Sequence, residues 1–341
     1  MIDFTNCEKK NKMYGGANGS KIAIVYDGDV YMLKFPPPAN KNDDLKYSNS
    51  CITEYLGCHI LQSLGIQTQD TLLGTYDVND VKKVVVACKD FAINGWTIQD
   101  FASLKNQIVD SERNGYGTEL DEMIHTIYEQ NSVEAGVLND FFWDLFIADA
   151  LIANWDRHNG NWGFLYNGIT DAIKIAPVWD CGSTLYPQSN VNDKKFILHN
   201  KNEMSYRIYE IPTSALKLNG KRIKYFDFIS SGKYPECTKA LARMYPKINL
   251  DKINQIIDNT EYIKDEEKEF YKTMIRIRKE RILDFSYEKL VLPYIKNIES
   301  SQKNSKKETP NMQVDYRNLH IKKERQEKQK LVAIQDGVDE N

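Results

Sequence analysis

Apolar and polar residues alternate over residues 21–35, KIAIVYDGDVYMLKF, on both sides of the turn sequence DGD. A period of two predicts β-strands, and the turn residues between them predict a hairpin. Residues 71–76 and 82–91 show a second pair of strand patterns. Between the two pairs, residues 51–64 carry apolar side chains at helical spacing and are followed by Gly65, a residue typical of a helix end. The first 100 or so residues therefore predict a β-rich lobe with one helix.

The most apolar segment of the chain, residues 137–152, predicts a central helix. It places seven apolar residues on one helical face: Val137, Leu138, Phe141, Phe142, Leu145, Ala148 and Ile152. The segments WGFLY and IKIAPVWD that follow predict short strands, and residues 237–258 and 262–294 show helical patterns. The part of the chain from residue 101 to residue 298 is therefore predicted to be a second, mainly helical lobe.

Residues 299–341 differ in composition from both predicted lobes. Large apolar residues are few, and nine Lys or Arg stand against four Asp or Glu between residues 302 and 331. Such a composition is typical of a solvated tail or a lone surface helix. The alternative is an arm that binds nucleic acid or another anionic partner, although regular aromatic interleaving is missing.

Composition excludes several classes of protein. The net charge is −3 and the isoelectric point is about 6.0, so nucleic acid or an anionic membrane would need a local basic patch. Six scattered cysteines without a CxxC pair indicate neither a disulfide framework nor a zinc ribbon. No signal peptide and no apolar run of membrane-spanning length are present. We therefore expect a soluble cytoplasmic protein, with export by a route that lacks a cleaved signal as the alternative.

The loop after the predicted central helix carries the first candidate chemistry. Asp156 and Asn161 lie five residues apart in WDRHNGNWGF, and Asp180 follows at the end of an apolar segment in APVWDCGS. Phosphoryl transfer on the protein-kinase plan needs one Asp that orients the acceptor hydroxyl and takes its proton. It also needs an Asn and a second Asp as ligands for Mg²⁺. These three residues are predicted to fill those roles.

Two charged residues upstream fit the same plan. Lys34 ends the strand pattern YMLKF, and Glu54 lies on the predicted helix twenty residues later. A lysine that binds the nucleotide phosphates is positioned by an ion pair with a helix carboxylate. Judged alone, each could be a solvated surface charge. The order lysine, glutamate, aspartate, asparagine, aspartate is the kinase order, and this order makes chance a poor explanation.

A glycine-rich turn, YGGANGSK, precedes the hairpin. Such a turn lets backbone N–H groups approach phosphate oxygens, although this one is neither GxGxxG nor a Walker A sequence. His158, within the aspartate loop, could be a catalytic base, a zinc ligand or a structural residue. No HxxxH pattern or cysteine partner lies near it, which favours the structural role.

The segments DRHNGNWGF and APVWDCGS, together with GGANGSK, YMLKF and VVVACKDF, resemble the HipA-like serine/threonine kinases, and especially their short cell-translocating kinase A type. The resemblance runs from about residue 3 to about residue 290. It implies an α+β, bilobal, protein-kinase-like fold with a small β-rich N-terminal lobe. It also implies transfer of the ATP γ-phosphoryl group to protein Ser or Thr, including autophosphorylation.

The resemblance also implies residue roles. Asp156 matches the catalytic aspartate, Asn161 and Asp180 match the Mg²⁺ ligands, and Lys34 matches the phosphate-binding lysine with Glu54 as its helix partner. His158 is implied to support the loop. The resemblance further implies that two segments contact ATP: the glycine-rich segment Gly16, Ala17, Asn18, Gly19, Ser20 and Lys21, and the hinge segment Cys88, Lys89 and Asp90.

The family includes toxins that pair with antitoxins, so an antitoxin-like protein is a candidate partner. The glycine-rich loop begins at residue 15, which leaves no room for the extra N-terminal subdomain of full-length HipA toxins. Two alternatives to a protein kinase stay open. One is a small-molecule or lipid kinase of kinase-like fold, and the other is a nucleotide-binding pseudokinase.

Overall fold

Six strands form the main sheet, in the order β1-β5-β6-β4-β3-β2. Only β1 and β5 are parallel, and the other neighbours are antiparallel. The strands are β1 (Ile2–Asp3), β2 (Glu8–Lys10), β3 (Lys21–Tyr26), β4 (Asp29–Lys34), β5 (Thr71–Val78) and β6 (Val81–Lys89). The predicted hairpin and the second predicted strand pair are therefore confirmed, because β3 pairs with β4 and β5 with β6.

Alternating side chains give this sheet two apolar faces. One face carries a core that includes Ile24, Leu33 and Val85. Against the other face, helix α1 (Ser50–Ser63) packs through Cys51 onto residues of β6. The helix predicted over residues 51–64 is thereby confirmed, and it carries Glu54 to the inner side of the sheet.

A second sheet contains β7 (Trp96–Asp100), β8 (Gly163–Asn167) and β9 (Ala172–Ile175), all antiparallel. Strand β7 was not predicted from the sequence. Two-residue strands β10 (Lys217–Leu218) and β11 (Lys221–Arg222) form a small hairpin. Helices make up most of this part of the chain: α2 (Phe101–Ile108), α3 (Leu120–Glu129), α4 (Ala135–Leu151), α5 (Val191–His199), α6 (Lys201–Tyr209), α7 (Tyr225–Ser231), α8 (Pro235–Met244), α9 (Leu250–Asp258), α10 (Asp265–Arg278) and α11 (Phe285–Leu290).

The central helix is α4, and it is buried on almost all sides. Helices α3, α8 and α10 all contact it, together with a π-helical turn at Lys279–Asp284. The prediction of one apolar face was wrong in part. Val137 is 53% exposed, whereas Trp143 and Ile147, which lie elsewhere around the helix, are each 1% exposed. A helix surrounded by other helices needs apolar residues all round rather than a single stripe.

The computed structural model describes residues 1–14, 20–36, 49–109 and 114–296. The predicted glycine-rich residues 15–19 and the tail 299–341 lie outside this range. Residues 1–292 form one compact unit, whose β-rich and mainly helical parts confirm the predicted fold class. Within the described ranges, none of the helices combines the length and apolarity needed to cross a bilayer.

Candidate active site

Lys34, at the end of β4, lies between two carboxylates from distant parts of the chain. Its Nζ is 3.0 Å from Glu54 Oε2 and 3.0 Å from Asp180 Oδ1. The Lys34 side chain is 14% exposed and that of Glu54 is 2% exposed. The sequence predicted that Asp180 ends a strand, but β9 ends at Ile175, and Asp180 lies outside any strand with a left-handed φ of +56°. The structure therefore brings together the three predicted residues.

The other oxygen of Glu54 binds the backbone next to Asp180. Oε1 accepts a hydrogen bond from the N–H of Cys181 at 3.1 Å. On the same helix, the Thr53 hydroxyl donates to the Gly182 carbonyl at 2.7 Å, and the Thr184 hydroxyl donates to the Thr53 carbonyl at 3.1 Å. Helix α1 thus holds the backbone after Asp180 through three hydrogen bonds.

Lys21 and Lys34 lie directly opposite each other in the β3–β4 hairpin, so both side chains start on the same face of the sheet. Burial and the positive charge of Lys34 lower the pKa of Lys21. Burial acts in the same direction on Lys34, but the negative charges of Asp180 and Glu54 outweigh it and raise the pKa of Lys34 well above its ordinary value. Two lysines opposite each other repel, and nearby anions offset that cost.

Asp156 and Asn161 lie in a tightly bonded loop between α4 and β8. The Asn161 side-chain amide donates to the Asp156 carbonyl at 2.8 Å, and the His158 N–H donates to the same carbonyl at 2.8 Å. His158 Nδ1 accepts from the N–H of Gly160 at 3.0 Å. This bond closes the turn between the two predicted functional residues, and the structural role of His158 stays a prediction.

Arg157, which was not singled out from the sequence, connects this loop to the Asp180 segment. Its guanidinium donates to the carbonyls of Asn161 at 3.0 Å and Trp179 at 2.7 Å, and its Nη2 lies 3.4 Å from Cys181 Sγ. Asp149 of α4 balances its charge, with Nε to Oδ2 at 3.1 Å. The Arg157 side chain is 7% exposed, so this is a buried ion pair whose remaining donors are satisfied.

Two buried asparagines hold the loop at two points. Asn154 Nδ2 donates to Asp149 Oδ1 at 2.9 Å, while Asn154 Oδ1 accepts from the N–H of Asp156 at 3.0 Å. Asn159 Nδ2 donates to the carbonyls of Gly115 at 2.6 Å and Gly117 at 2.8 Å. The sequence offered one signal for this network, because Asp149 lies between apolar residues near the end of the predicted central helix, and a charge buried there needs a partner.

The environment of Asp156 changes its acidity. Burial raises the pKa of its carboxyl above the ordinary value, the electrostatic interaction with His158 lowers it, and the negative charge of Asp180 raises it again. The net pKa is raised. In contrast, the positive charge of Lys34 lowers the pKa of Asp180 against the effect of burial. The two aspartates therefore differ, with the first the better proton acceptor and the second held as an anion.

The predicted hinge segment lies at the end of β6. The Lys89 N–H donates to the Asp70 carbonyl and the Asp90 N–H donates to the Val30 carbonyl, both at 2.8 Å. Gln69 Nε2 donates to the Lys89 carbonyl at 2.9 Å. These three backbone groups are engaged within the protein. Adenine binding by Cys88, Lys89 and Asp90 stays a prediction that depends on other groups of the segment.

The Asp90 carboxylate anchors the chain just before the glycine-rich residues. Lys12 Nζ and Tyr14 Oη both donate to Asp90 Oδ2, the second at 3.0 Å. Burial and the negative charge of Asp90 raise the pKa of Tyr14, which keeps its hydroxyl protonated as a donor. After the undescribed residues, the chain returns at Ser20, whose carbonyl accepts from the Phe35 N–H at 3.1 Å.

Among the described residues, no cluster of three or more His, Cys, Asp or Glu side chains is arranged to hold a metal ion. A Mg²⁺ ion bound together with a nucleotide needs fewer protein ligands, because phosphates and water complete its octahedral shell. Asp180 and Asn161 supply oxygen atoms, the ligand type that Mg²⁺ prefers. The donor set therefore fits such an ion.

Comparison with known proteins identifies the family. The model of the HipA-like C-terminal domain matches residues 14–266. The serine/threonine-protein kinase CtkA of Helicobacter pylori strain J99 is 45% identical over 292 residues, which covers 85% of this chain and 89% of that relative.

Two solved structures have similar folds. The crystal structure of the H. pylori proinflammatory kinase CtkA matches with a TM-score of 0.79 and 45% identity, covering 85% of this chain and 99% of that one. HipA of Shewanella oneidensis MR-1, solved with HipB and operator DNA, is similar in fold alone, with a TM-score of 0.50 and 14% identity over 82% of this chain and 68% of that one. The family match covers residues 14–266 and includes Lys34, Glu54, Asp156, Asn161 and Asp180 in the kinase order. The chain therefore belongs to the HipA-like C-terminal domain family.

Proposed function

We propose that this protein is a serine/threonine protein kinase that uses ATP and Mg²⁺. The observation that carries the proposal is the contact of Lys34 with both Glu54 and Asp180, each at 3.0 Å. In protein kinases the corresponding lysine–glutamate pair and the metal-binding aspartate must both be in place for transfer. The 45% identity to a relative named as a serine/threonine-protein kinase supports the same activity.

In this proposal Asp156 orients the hydroxyl of the acceptor Ser or Thr and accepts its proton. Its raised pKa brings the carboxylate closer to the basicity that proton transfer needs. Lys34 and Lys21 face the phosphates and offset their negative charge. Because the two opposed lysines repel each other, binding of an anion beside them is favoured. The loop is held by Arg157 and Asn159, so Asp156 needs little reorganisation.

Asp180 and Asn161 would hold Mg²⁺ through side-chain oxygens. The bound ion supplies positive charge that neutralises the phosphate oxygens. We propose that the segment from Gly16 to Lys21 covers the phosphates and that the chain around Asp90 contacts the adenine. In this proposal the lobe at residues 1–100 binds the nucleotide. The lobe at residues 101–298 carries the catalytic loop, and residues 299–341 form a tail.

We also propose autophosphorylation and a role as a toxin or effector. The second part is supported by similarity to a kinase described as proinflammatory. An antitoxin-like partner remains a candidate, and the basic tail is the part of the chain that would bind an anionic partner.

The direct test is transfer from radiolabelled ATP to a cell lysate and to the protein itself. We expect labelled phosphoserine or phosphothreonine with Mg²⁺, and loss of label with EDTA, Asp156→Asn or Asp180→Asn. Asp171→Asn is the matched control, because Asp171 is exposed and lies in a turn at φ +52° that asparagine also adopts. Full activity in Asp156→Asn would contradict the proposal, and label in small molecules alone would favour a metabolite kinase.

A further inference from the structure

A groove of about 1020 Å³ opens beside the catalytic loop. Ala153 and Trp155 line one end of it, and Trp155 directly precedes Asp156. Helices α5 and α6 contribute Phe196 and Arg207 to its walls, and Arg222 from the β10–β11 hairpin completes the end near the loop. The groove therefore reaches the residue next to the proposed proton acceptor and extends over the mainly helical part of the chain.

The charged residues of the groove differ in how they are paired. Asp193 Oδ2 accepts the Asn190 N–H at 2.9 Å, as part of the cap of α5. Glu203 lies 3.5 Å from Arg207 Nε on α6. These two carboxylates already have partners within the protein. Arg222 is the exposed cation of the groove, because Arg207 is only partly exposed and pairs with Glu203.

Arg222 is held in place by neutral oxygen atoms. Its Nε donates to the Thr213 hydroxyl at 3.0 Å and to the Ser214 carbonyl at 2.9 Å, and its Nη2 donates to the Trp155 carbonyl. Within the part of the chain that the structure describes, no carboxylate forms an ion pair with it. An exposed guanidinium of fixed position is a good receptor for a carboxylate, because its planar N–H groups match the two oxygens.

The positive charge of Arg222 also reaches Asp156. Burial raises the pKa of Asp156, and Arg222 is among the cations that lower it. The bond to the Trp155 carbonyl places the guanidinium one residue along the backbone from the proposed proton acceptor. A group that binds Arg222 from the groove would therefore lie close to the acceptor hydroxyl.

We propose that this groove binds the acceptor segment of the protein substrate, and that Arg222 selects segments with an Asp or Glu close to the phosphorylated Ser or Thr. This inference rests on the proposed kinase function. The segment binds along the groove with its hydroxyl at Asp156 and an acidic neighbour at Arg222. Electrostatic pairs at the edge of an interface contribute mainly specificity, so the effect is a preference among substrates.

The test compares synthetic peptides that share one central Ser and differ at the flanking positions. One set carries Asp or Glu there, a second Asn or Gln, and a third Lys or Arg. For the full-length wild type we expect kcat/KM to be about tenfold higher for the acidic set than for the amide set, because one charge-assisted hydrogen bond contributes a free energy of about that size. Arg222→Glu should reverse the order in favour of the basic set, and Arg222→Gln should remove the preference.

Lys221→Glu is the matched control, because Lys221 is the exposed neighbour of Arg222 on the same strand and does not line the groove. It should keep the wild-type preference. Loss of the Trp155 contact in the Arg222 variants lowers the rate for every peptide alike, so the ratio between peptide sets isolates the charge effect. The same ratio in wild type and Arg222→Glu, or an active wild type without charge preference, would overturn the inference alone. A wild type that phosphorylates no peptide or protein would overturn the kinase proposal itself.

Discussion

Glu54 Oε1 accepts a hydrogen bond from the backbone N–H of Cys181, at 3.1 Å, while Glu54 Oε2 binds Lys34 at 3.0 Å. One carboxylate on α1 therefore positions both the lysine of the sheet and the residue next to Asp180. Because Glu54 is almost fully buried, its charge is little screened by solvent. The helix, the hairpin and the Asp180 segment are linked at this residue.

Replacement of this carboxylate by an amide is expected to weaken nucleotide use. Glu54→Gln keeps an acceptor for the Cys181 N–H but removes the negative charge beside Lys34. A charge-assisted hydrogen bond contributes about 1.5–3 kcal/mol, so kcat/KM for ATP should fall roughly tenfold to a hundredfold. Steady-state kinetics at varied ATP measure this. Glu280→Gln, at an exposed pair with Arg276, is the control, and equal kinetics in both variants would contradict the assigned role.

The Arg157 network predicts a combined loss of stability and activity. Arg157→Lys keeps the charge but cannot reach Asp149, Asn161 and Trp179 at once. We expect the free energy of unfolding to fall by about 2–4 kcal/mol, because buried donors or acceptors lose their partners. Urea unfolding measures the change, and kcat should fall with it. Arg276→Lys, on the surface, should change stability by less than about 0.5 kcal/mol, and a similarly small effect of Arg157→Lys would refute the network.

Close packing at Gly57 predicts sensitivity to one methyl group. A Cβ at this position would lie 2.8 Å from Cys181 Cβ and 3.2 Å from the Cys181 carbonyl oxygen. Gly57→Ala must therefore push α1 away from the Asp180 segment, at a cost of about 1–3 kcal/mol. Thermal unfolding and the KM for ATP should both change, since α1 carries Glu54. Gly168→Ala, whose Cβ would have only an ordinary contact at 3.6 Å, should change neither the thermal unfolding nor the KM for ATP.

The raised pKa of Asp156 predicts the acid side of the pH–rate profile. The carboxylate must be unprotonated to accept a proton, so kcat/KM rises with pH through the pKa of Asp156. Since burial raises that pKa, the rise should occur at higher pH than the ordinary value of 3.8 predicts.

The same profile gives a test of His158. The electrostatic interaction with His158 lowers the pKa of Asp156, so His158→Gln should move the acid limb to higher pH. His125→Gln is the control, because His125 is exposed on α3. An acid limb that does not move in His158→Gln, or that moves equally in the control, would argue against the electrostatic coupling.

Local patterns in the sequence were sufficient for several features. The alternation around DGD predicted the β3–β4 hairpin, helical spacing predicted α1, and the apolar run predicted α4. These features depend on side chains two to four residues apart, which is the range over which a strand or a helix repeats. The order of Lys34, Glu54, Asp156, Asn161 and Asp180 is also a property of the sequence alone.

Only the tertiary structure decided which of these groups meet. Lys34 and Asp180 are 146 residues apart in sequence, and their contact exists because α1 packs between the sheet and the Asp180 segment. Arg157 lies between two predicted residues, yet its role became evident only from the carbonyls that surround it. A buried charge takes its partners from whatever packing places around it, and no local pattern contains that information.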